Sequence, residues 1–265
     1  MLRQALINTL RPYHFRGKLK LLGSIASRSG EETVTVFGYR VRLDLGEAIQ
    51  RWIYLGAFEP RETAMARAWL KPGMTFLDVG ANFGYFTLLA ASRVGATGRV
   101  FAIEPSPYAF DRLSETVRVN SLHQVRVEHL GLSDTNGTLD LYVSPSEFHS
   151  PTMSAGSGGD PVAVPVRRLD DCLADWGAGT IDLMKLDVEG HEPFVLRGGI
   201  EALKSGRVRA VLCEFNDFWL RQQGSSPREL HDIFRAAGFV DTEGEPTFEP
   251  NGNDTRFLVH QSARG

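Results

Sequence analysis

The chain has 265 residues, 42% of them hydrophobic, and a formal charge of −3. That length suits one large α/β domain, or one domain with an appendage, and so mild a charge gives no argument for nucleic acid. Its two cysteines, Cys172 and Cys213, show no CxxC or His/Cys spacing, so neither a zinc motif nor a disulfide framework is signalled and a reducing, cytoplasmic setting fits.

In chain order, residues 1–30 come first. They carry Arg3, Arg11, Arg16, Lys18, Lys20 and Arg28 and no acid, leaving 23 of the 29 basic residues against all 32 acids. Leu2, Leu6, Ile7 and Leu10 form a helical apolar stripe. The expectation is a helix that packs on its own domain or makes a homodimer; a transit peptide or membrane-surface helix is the alternative. No run approaches the ~20 apolar residues of a transmembrane span, and a signal-peptide core is lacking.

"ETVTVFGYRVRLDL" alternates around "FGYR" and predicts a hairpin over residues 32–45, and "PRETAMARAWLKPG" predicts a helix stopped by Pro-Gly. A β/α rhythm follows: strand "MTFLDVG", helix "YFTLLAASRVG", strand "GRVFAIEP", helix "YAFDRLSETVRVN", third strand "QVRVEHLGL". "GTLDLYVS" and "PVAVPVRRL" read as extra strands around the Ser-, Gly- and Pro-rich "PSEFHSPTMSAGSGGD", a lid candidate in which His149 and Ser150 would meet an acceptor. The rhythm resumes with strand "IDLMKLDVEG", helix "PFVLRGGIEALKSG" and strand "VRAVLCEF". Ser226, Pro227 and Glu229 start a capped helix, and "GFVDTEG" and "TRFLVHQ" close the chain as strands. The expected organisation is an appendage over 1–59 and one main domain over 60–265 carrying an inserted hairpin and lid at 143–166. Alternating strands and helices imply a mostly parallel sheet covered on both faces, with its ligand at the carboxyl ends of the strands.

"LDVGANFG" is the first such strand end. Gly80 permits a sharp turn and close approach, while Gly84 would let the helix pack near the strand. The middle glycine of the dinucleotide fingerprint is absent. A helix N-terminus attracts anions, but Asp78 would repel a pyrophosphate and welcome an ammonium and a sulfonium. S-adenosylmethionine carries both and has no phosphate. Glu104, ending "VFAIEP", suits a ribose diol. Helix capping by both acids is the plainer reading.

"FLDVGANFGYFTLLAA", "VFAIEPSPYAFDRLSETVRVN", "HLGLSDTNG", "VRRLDD" and "IDLMKLDVEGHEPFVLRGG" occur in that order, and the chain resembles the FkbM-type family of S-adenosylmethionine-dependent methyltransferases over roughly residues 70–215. The resemblance implies a class I, Rossmann-like, seven-stranded sheet with helices on both faces, "TRFLVHQ" supplying an antiparallel last strand beside the fifth. It also implies that Asp78, Gly80, Asn82, Phe83 and Gly84 hold the methionine portion, Glu104 the ribose and Leu132 the adenine. The implied activity is O-methylation of a small-molecule, sugar or natural-product hydroxyl; N-methylation of a peptide or amide is the alternative.

"KLDVEGHE" ends the fourth strand. Period-2 alternation puts Lys185, Asp187 and Glu189 on one face, and a buried lysine calls for an acid such as Asp187 or Glu59. Methyl transfer to a hydroxyl needs positioning and a proton acceptor or a metal. Asp187 is the expected base, in contact with the cofactor, with Glu214 and His191 as further catalytic candidates. Asp187, Glu214 and Asn216 form an oxygen set suited to Mg²⁺, as in catechol-type O-methyltransferases by analogy. Lys185 as a structural ion pair and His191 as a cleft wall are the plainer readings. "FNDFWL", with Trp219, is either core or an acceptor wall.

Rival functions have specific gaps. An NAD-dependent oxidoreductase lacks the middle glycine, and a serine hydrolase lacks its G-x-S-x-G elbow. A nucleic-acid amino-methyltransferase lacks [DN]-P-P-[YFW], so no nucleic-acid partner is expected. A non-catalytic binding module remains open.

Overall fold

A computed structural model describes Thr9 and residues 30–143, 151–152 and 161–263. The expected basic N-terminal helix, apart from Thr9, lies outside the described residues, as do Phe148, His149, Ser150 and residues 153–160 of the expected lid.

β1 (Glu31–Val36) and β2 (Tyr39–Asp44) form the expected antiparallel hairpin. Phe37 and Gly38 both take positive φ, which matches the turn to the twist of its strands. Val34, Val36, Val41 and Leu43 alternate inward and join one apolar cluster with Phe76, Leu88, Leu89 and Val100. The hairpin therefore has no separate core. α1 (Ala48–Tyr54) follows, its N-terminus capped by the Glu47 carboxylate. No helix is expected there from the sequence, because the element is short and its cap is not Ser, Thr, Asp or Asn.

α2 (Pro60–Trp69) leads into β3 (Thr75–Val79), α3 (Tyr85–Val94), β4 (Arg99–Ile103), α4 (Pro107–Val119) and β5 (Val125–Glu128). The third strand ends at Glu128 and does not run on through Leu132 as expected. Gly131–Leu132 form β6, paired with β9 (Pro161–Arg167) in a second sheet that also holds β7 (Gly137–Val143) and β8 (Pro151–Thr152). An apolar run does not reveal which partner each half will pair with.

α5 (Leu169–Asp175) precedes β10 (Leu183–Leu186). The long helix expected after β10 is two, α6 (Glu192–Gly198) and α7 (Ile200–Lys204). The break is at Gly198 and Gly199, where an added Cβ would stand 1.9 Å from the Ser133 carbonyl and 2.6 Å from Leu169 Cδ2. β11 (Ala210–Asn216), α8 (Asp217–Gln222), α9 (Pro227–Ala236), β12 (Phe239–Asp241) and β13 (Asn253–His260) complete the chain.

The main sheet has seven strands in the order β12-β13-β11-β10-β3-β4-β5. All are parallel except β13, which lies antiparallel between β12 and β11. Successive strand residues face opposite cores: Phe76, Val100 and Leu183 join one cluster, Leu77, Phe101 and Met184 the other. Both faces are thus covered, as a parallel sheet requires. After β3 the chain winds outward through β4 and β5, then returns to place β10 on β3's other side. That reversal opens a crevice beyond the carboxyl ends of β3 and β10.

Candidate active site

A cavity of about 370 Å³ occupies the crevice. The turn after β3 forms its floor. Gly80 has φ +80, and an added Cβ would stand 1.9 Å from the Asp187 carbonyl. Its hydrogen lets two strand ends touch, besides any approach to a ligand. Gly84 also has positive φ, and an added Cβ would meet Leu113 Cδ1 of α4 at 2.3 Å. Its closest contact is with that helix. Asn82, between them, is left-handed at φ +50. Phe83 lines the cavity and sets its ring edge-on to Tyr108.

Asp78 is buried at the end of β3 and accepts a hydrogen bond from Thr87 Oγ1 at 2.5 Å. Burial pushes its carboxyl up to about 6. Glu104 follows β4 and accepts backbone N–H bonds from Asn82 at 2.7 Å and Ser106 at 2.8 Å. Burial raises it to about 7 despite both bonds. Glu104 therefore ties the glycine turn to the start of α4, and each oxygen keeps a free lone pair. Leu132 adds an apolar wall from the second sheet.

At the end of β10, Lys185 Nζ lies 2.6 Å from Asp187 Oδ2 and 3.6 Å from Glu59 Oε2, with the Phe86 ring 5.0 Å below. The lysine is fully enclosed, and its ion-pair partners are the two acids the sequence suggested. Glu192 Oε1 accepts from the N–H groups of Val188 and Gly190, which pins the loop after the strand. Its pKa is raised to about 7, first by burial. Sequence spacing did not single out this role, although the acid stands one helical turn beyond Val188.

His191 is the N-cap residue of α6, pairs with Ser133 Oγ through Nε2 at 3.1 Å and stacks on Phe194. Burial lowers it to about 4, so it is neutral at physiological pH and a weak proton acceptor there. Glu214 Oε1 accepts from Asn253 Nδ2 at 2.9 Å. Asn216 Oδ1 caps α8 through the Trp219 N–H at 3.3 Å. Asp187, Glu192 and Glu214 each bring a carboxylate oxygen within 4.8 Å of the other two. Trp219 lines the cavity and Phe218 beside it is half exposed, so this pair is not core.

A second cavity of about 420 Å³ adjoins the first, and Trp52, Phe58, Glu59, Asp187, Glu214 and Asn253 line both. Trp52 and Phe58 reach this wall from α1 and the loop after it, residues the sequence reading left unassigned. Their signal was the aromatic spacing of "RWIYLGAFEP" just before the first β/α unit.

Strand order, the antiparallel β13 and a glycine turn preceded by a buried carboxylate define a class I methyltransferase fold. The sequence matches the methyltransferase FkbM domain over residues 78–240, and the chain belongs to that family. It is 30% identical to the 31-O-demethyl-FK506 methyltransferase FkbM of Streptomyces tacrolimicus, over 78% of this chain and 87% of that one. It is 28% identical to the 2-O-methyltransferase NoeI of Sinorhizobium fredii (62% and 72%) and 29% identical to the hexuronic acid methyltransferase AglP of Haloferax volcanii (60% and 61%). The protein is an S-adenosylmethionine-dependent methyltransferase. Among the described residues no helix is long and apolar enough to cross a membrane.

Proposed function

We propose that the protein methylates a hydroxyl of a small-molecule or sugar acceptor. The observation that carries this is a two-chambered crevice: carboxylates at the ends of β10 and β11 stand in the wall common to both chambers. A hydroxyl nucleophile has to lose a proton as it reacts, and this wall offers acceptors for one. The names of FkbM and NoeI, both O-methylating relatives, support the same chemistry.

S-adenosylmethionine supplies an electrophilic methyl group when bound. Asp78 would face its cationic methionine end and Glu104 its ribose diol, while Leu132 would cover the adenine. Gly80, Asn82, Phe83 and Gly84 would shape the turn beneath. Trp52 and Phe58 would hold the acceptor at the outer chamber. Two free, buried cysteines suit a reducing cytoplasm.

Mg²⁺ has no part in this reading. Asn216 spends its oxygen on a helix cap and Asp187 Oδ2 is held by Lys185, so the Asp187, Glu214 and Asn216 set fits a metal poorly. Activity is expected to survive exhaustive EDTA treatment; loss that Mg²⁺ restores would move the charge compensation onto a metal.

The test is calorimetry with S-adenosylhomocysteine followed by an acceptor screen using labelled S-adenosylmethionine. Saturable binding with label on oxygen is the expected outcome. Label on nitrogen only, or NADH bound in place of S-adenosylhomocysteine, would overturn the proposal.

A further inference from the structure

Among the described residues two glutamates stand at helix N-caps, and they behave differently. The Glu47 carboxylate accepts the N–H groups of Ile49 and Gln50, as a cap should. Glu59, directly before Pro60, makes no such bond. Its backbone is left-handed at φ 36, ψ 62, where a residue preceding proline would ordinarily be extended. Strain of this kind persists where the surroundings impose it, and it gathers at functional sites. Asn82 and Glu189, also left-handed, line the same cavity.

Released from capping, the Glu59 carboxylate lies in the wall that both chambers share. Its Oε2 makes no hydrogen bond, and Lys185 Nζ is 3.6 Å away. Asp187 Oδ2 holds Lys185 at 2.6 Å, and His191 lines only the inner chamber. Glu214, in the shared wall, also has an unbonded Oε2, but burial and the neighbouring Asp187, Glu189 and Glu192 push its carboxyl well up, which favours the protonated form. We propose that Glu59 is the carboxylate that receives the acceptor's hydroxyl proton. This rests on the reading of the site as a hydroxyl methyltransferase.

As the acceptor oxygen forms its bond to the methyl carbon, the carbon–sulfur bond breaks and sulfur keeps the electron pair. The hydroxyl proton passes to Glu59 and leaves through the outer chamber. Lys185 from β10, Asp187 just after it, Glu214 from β11 and Glu62 from α2 surround this position. Burial outweighs the lysine and pushes Glu59 up to about 7, a value suited to accepting and returning a proton near neutrality.

Protein saturated with S-adenosylhomocysteine is treated at pH 7 with a water-soluble carbodiimide and glycine ethyl ester, and the modified carboxyls are located by mass spectrometry. Glu59 is expected to be labelled, its carboxyl being about half protonated at pH 7, and its labelling is expected to fall about tenfold between pH 6 and pH 8. An unlabelled Glu59, or labelling that is flat across that range, overturns the proposal. Glu59→Gln is then assayed with methyl β-D-glucopyranoside and catechol as hydroxyl probes. A kcat loss of about 100-fold or more is expected, with little change in KM or in S-adenosylhomocysteine affinity. The limb of the pH profile near 7 should vanish. Wild-type kcat and an unchanged profile overturn the proposal; if neither probe is methylated, the Glu59 labelling decides alone. Failure to bind S-adenosylhomocysteine would instead count against the methyltransferase reading.

Discussion

Gly80 is the residue at which geometry tolerates least change. Its positive φ strains any other residue, and a Cβ would stand 1.9 Å from the Asp187 carbonyl. Gly80→Ala is expected to cost roughly 2–4 kcal/mol, read from the denaturation midpoint, and to abolish cofactor binding because β3 and β10 must part. Glu104 makes a prediction in pH. Burial raises it to about 7 in the free protein, whereas a ribose diol donates to its ionised form. Binding below pH 7 must therefore release a proton. S-adenosylhomocysteine affinity should fall about tenfold from pH 8 to pH 6, and Glu104→Gln should flatten that slope. Calorimetry in buffers of different ionisation enthalpy would show the proton, and a pH-independent affinity would contradict the account. At this scale the placement of Asp78 and Glu104 in the cavity was legible from their positions at strand ends. Glu59 was legible only as a partner for Lys185, because its left-handed backbone and its place in the shared wall have no signature in the sequence.

Among the elements, the hairpin of β1 and β2 is the informative case. Its alternation and turn were plain in "ETVTVFGYRVRLDL", but nothing local showed what its apolar face would cover. In the fold Leu43 is 1% exposed and shares a cluster with Phe76 and Leu89 of the main domain. Leu43→Ala is expected to destabilise the molecule by about 2–5 kcal/mol, with one cooperative transition moving as a whole. Two separate transitions would show the hairpin to be an independent appendage. Two other elements escaped the sequence for stated reasons. α1 is too short for periodicity to declare it, and the strand through Val125 to Leu132 divides between two sheets, a choice made by partners distant in sequence.

For the whole molecule, the crevice concentrates acid away from water. Asp78 is raised to about 6, and Glu59, Glu104 and Glu192 to about 7, in each case chiefly by burial. Each binds its proton more tightly folded than unfolded, so between about pH 4.5 and 7 the folded state holds more protons from these groups. Stability from these four falls as pH rises through that window. His191 and His231, lowered by burial, act oppositely but are fewer. The cofactor-free protein is expected to melt at a lower temperature at pH 8 than at pH 5.5. S-adenosylmethionine, being cationic, should stabilise it more at pH 8. A melting temperature that rises with pH would contradict the burial of these acids.

The sequence by itself determined the β/α rhythm, the glycine turn with its acid and the acidic strand end. Each is a local pattern of period, turn chemistry or charge within a few residues. Only the tertiary structure decided the shared core of the hairpin, the second sheet and the meeting of Glu59, Lys185, Asp187 and Glu214. Those acids and their lysine come from α2's N-terminus, the end of β10 and β11, up to 155 positions apart in the chain. Such a meeting depends on strand order and on which carboxylates lose their water, and neither is a property of any short stretch of residues.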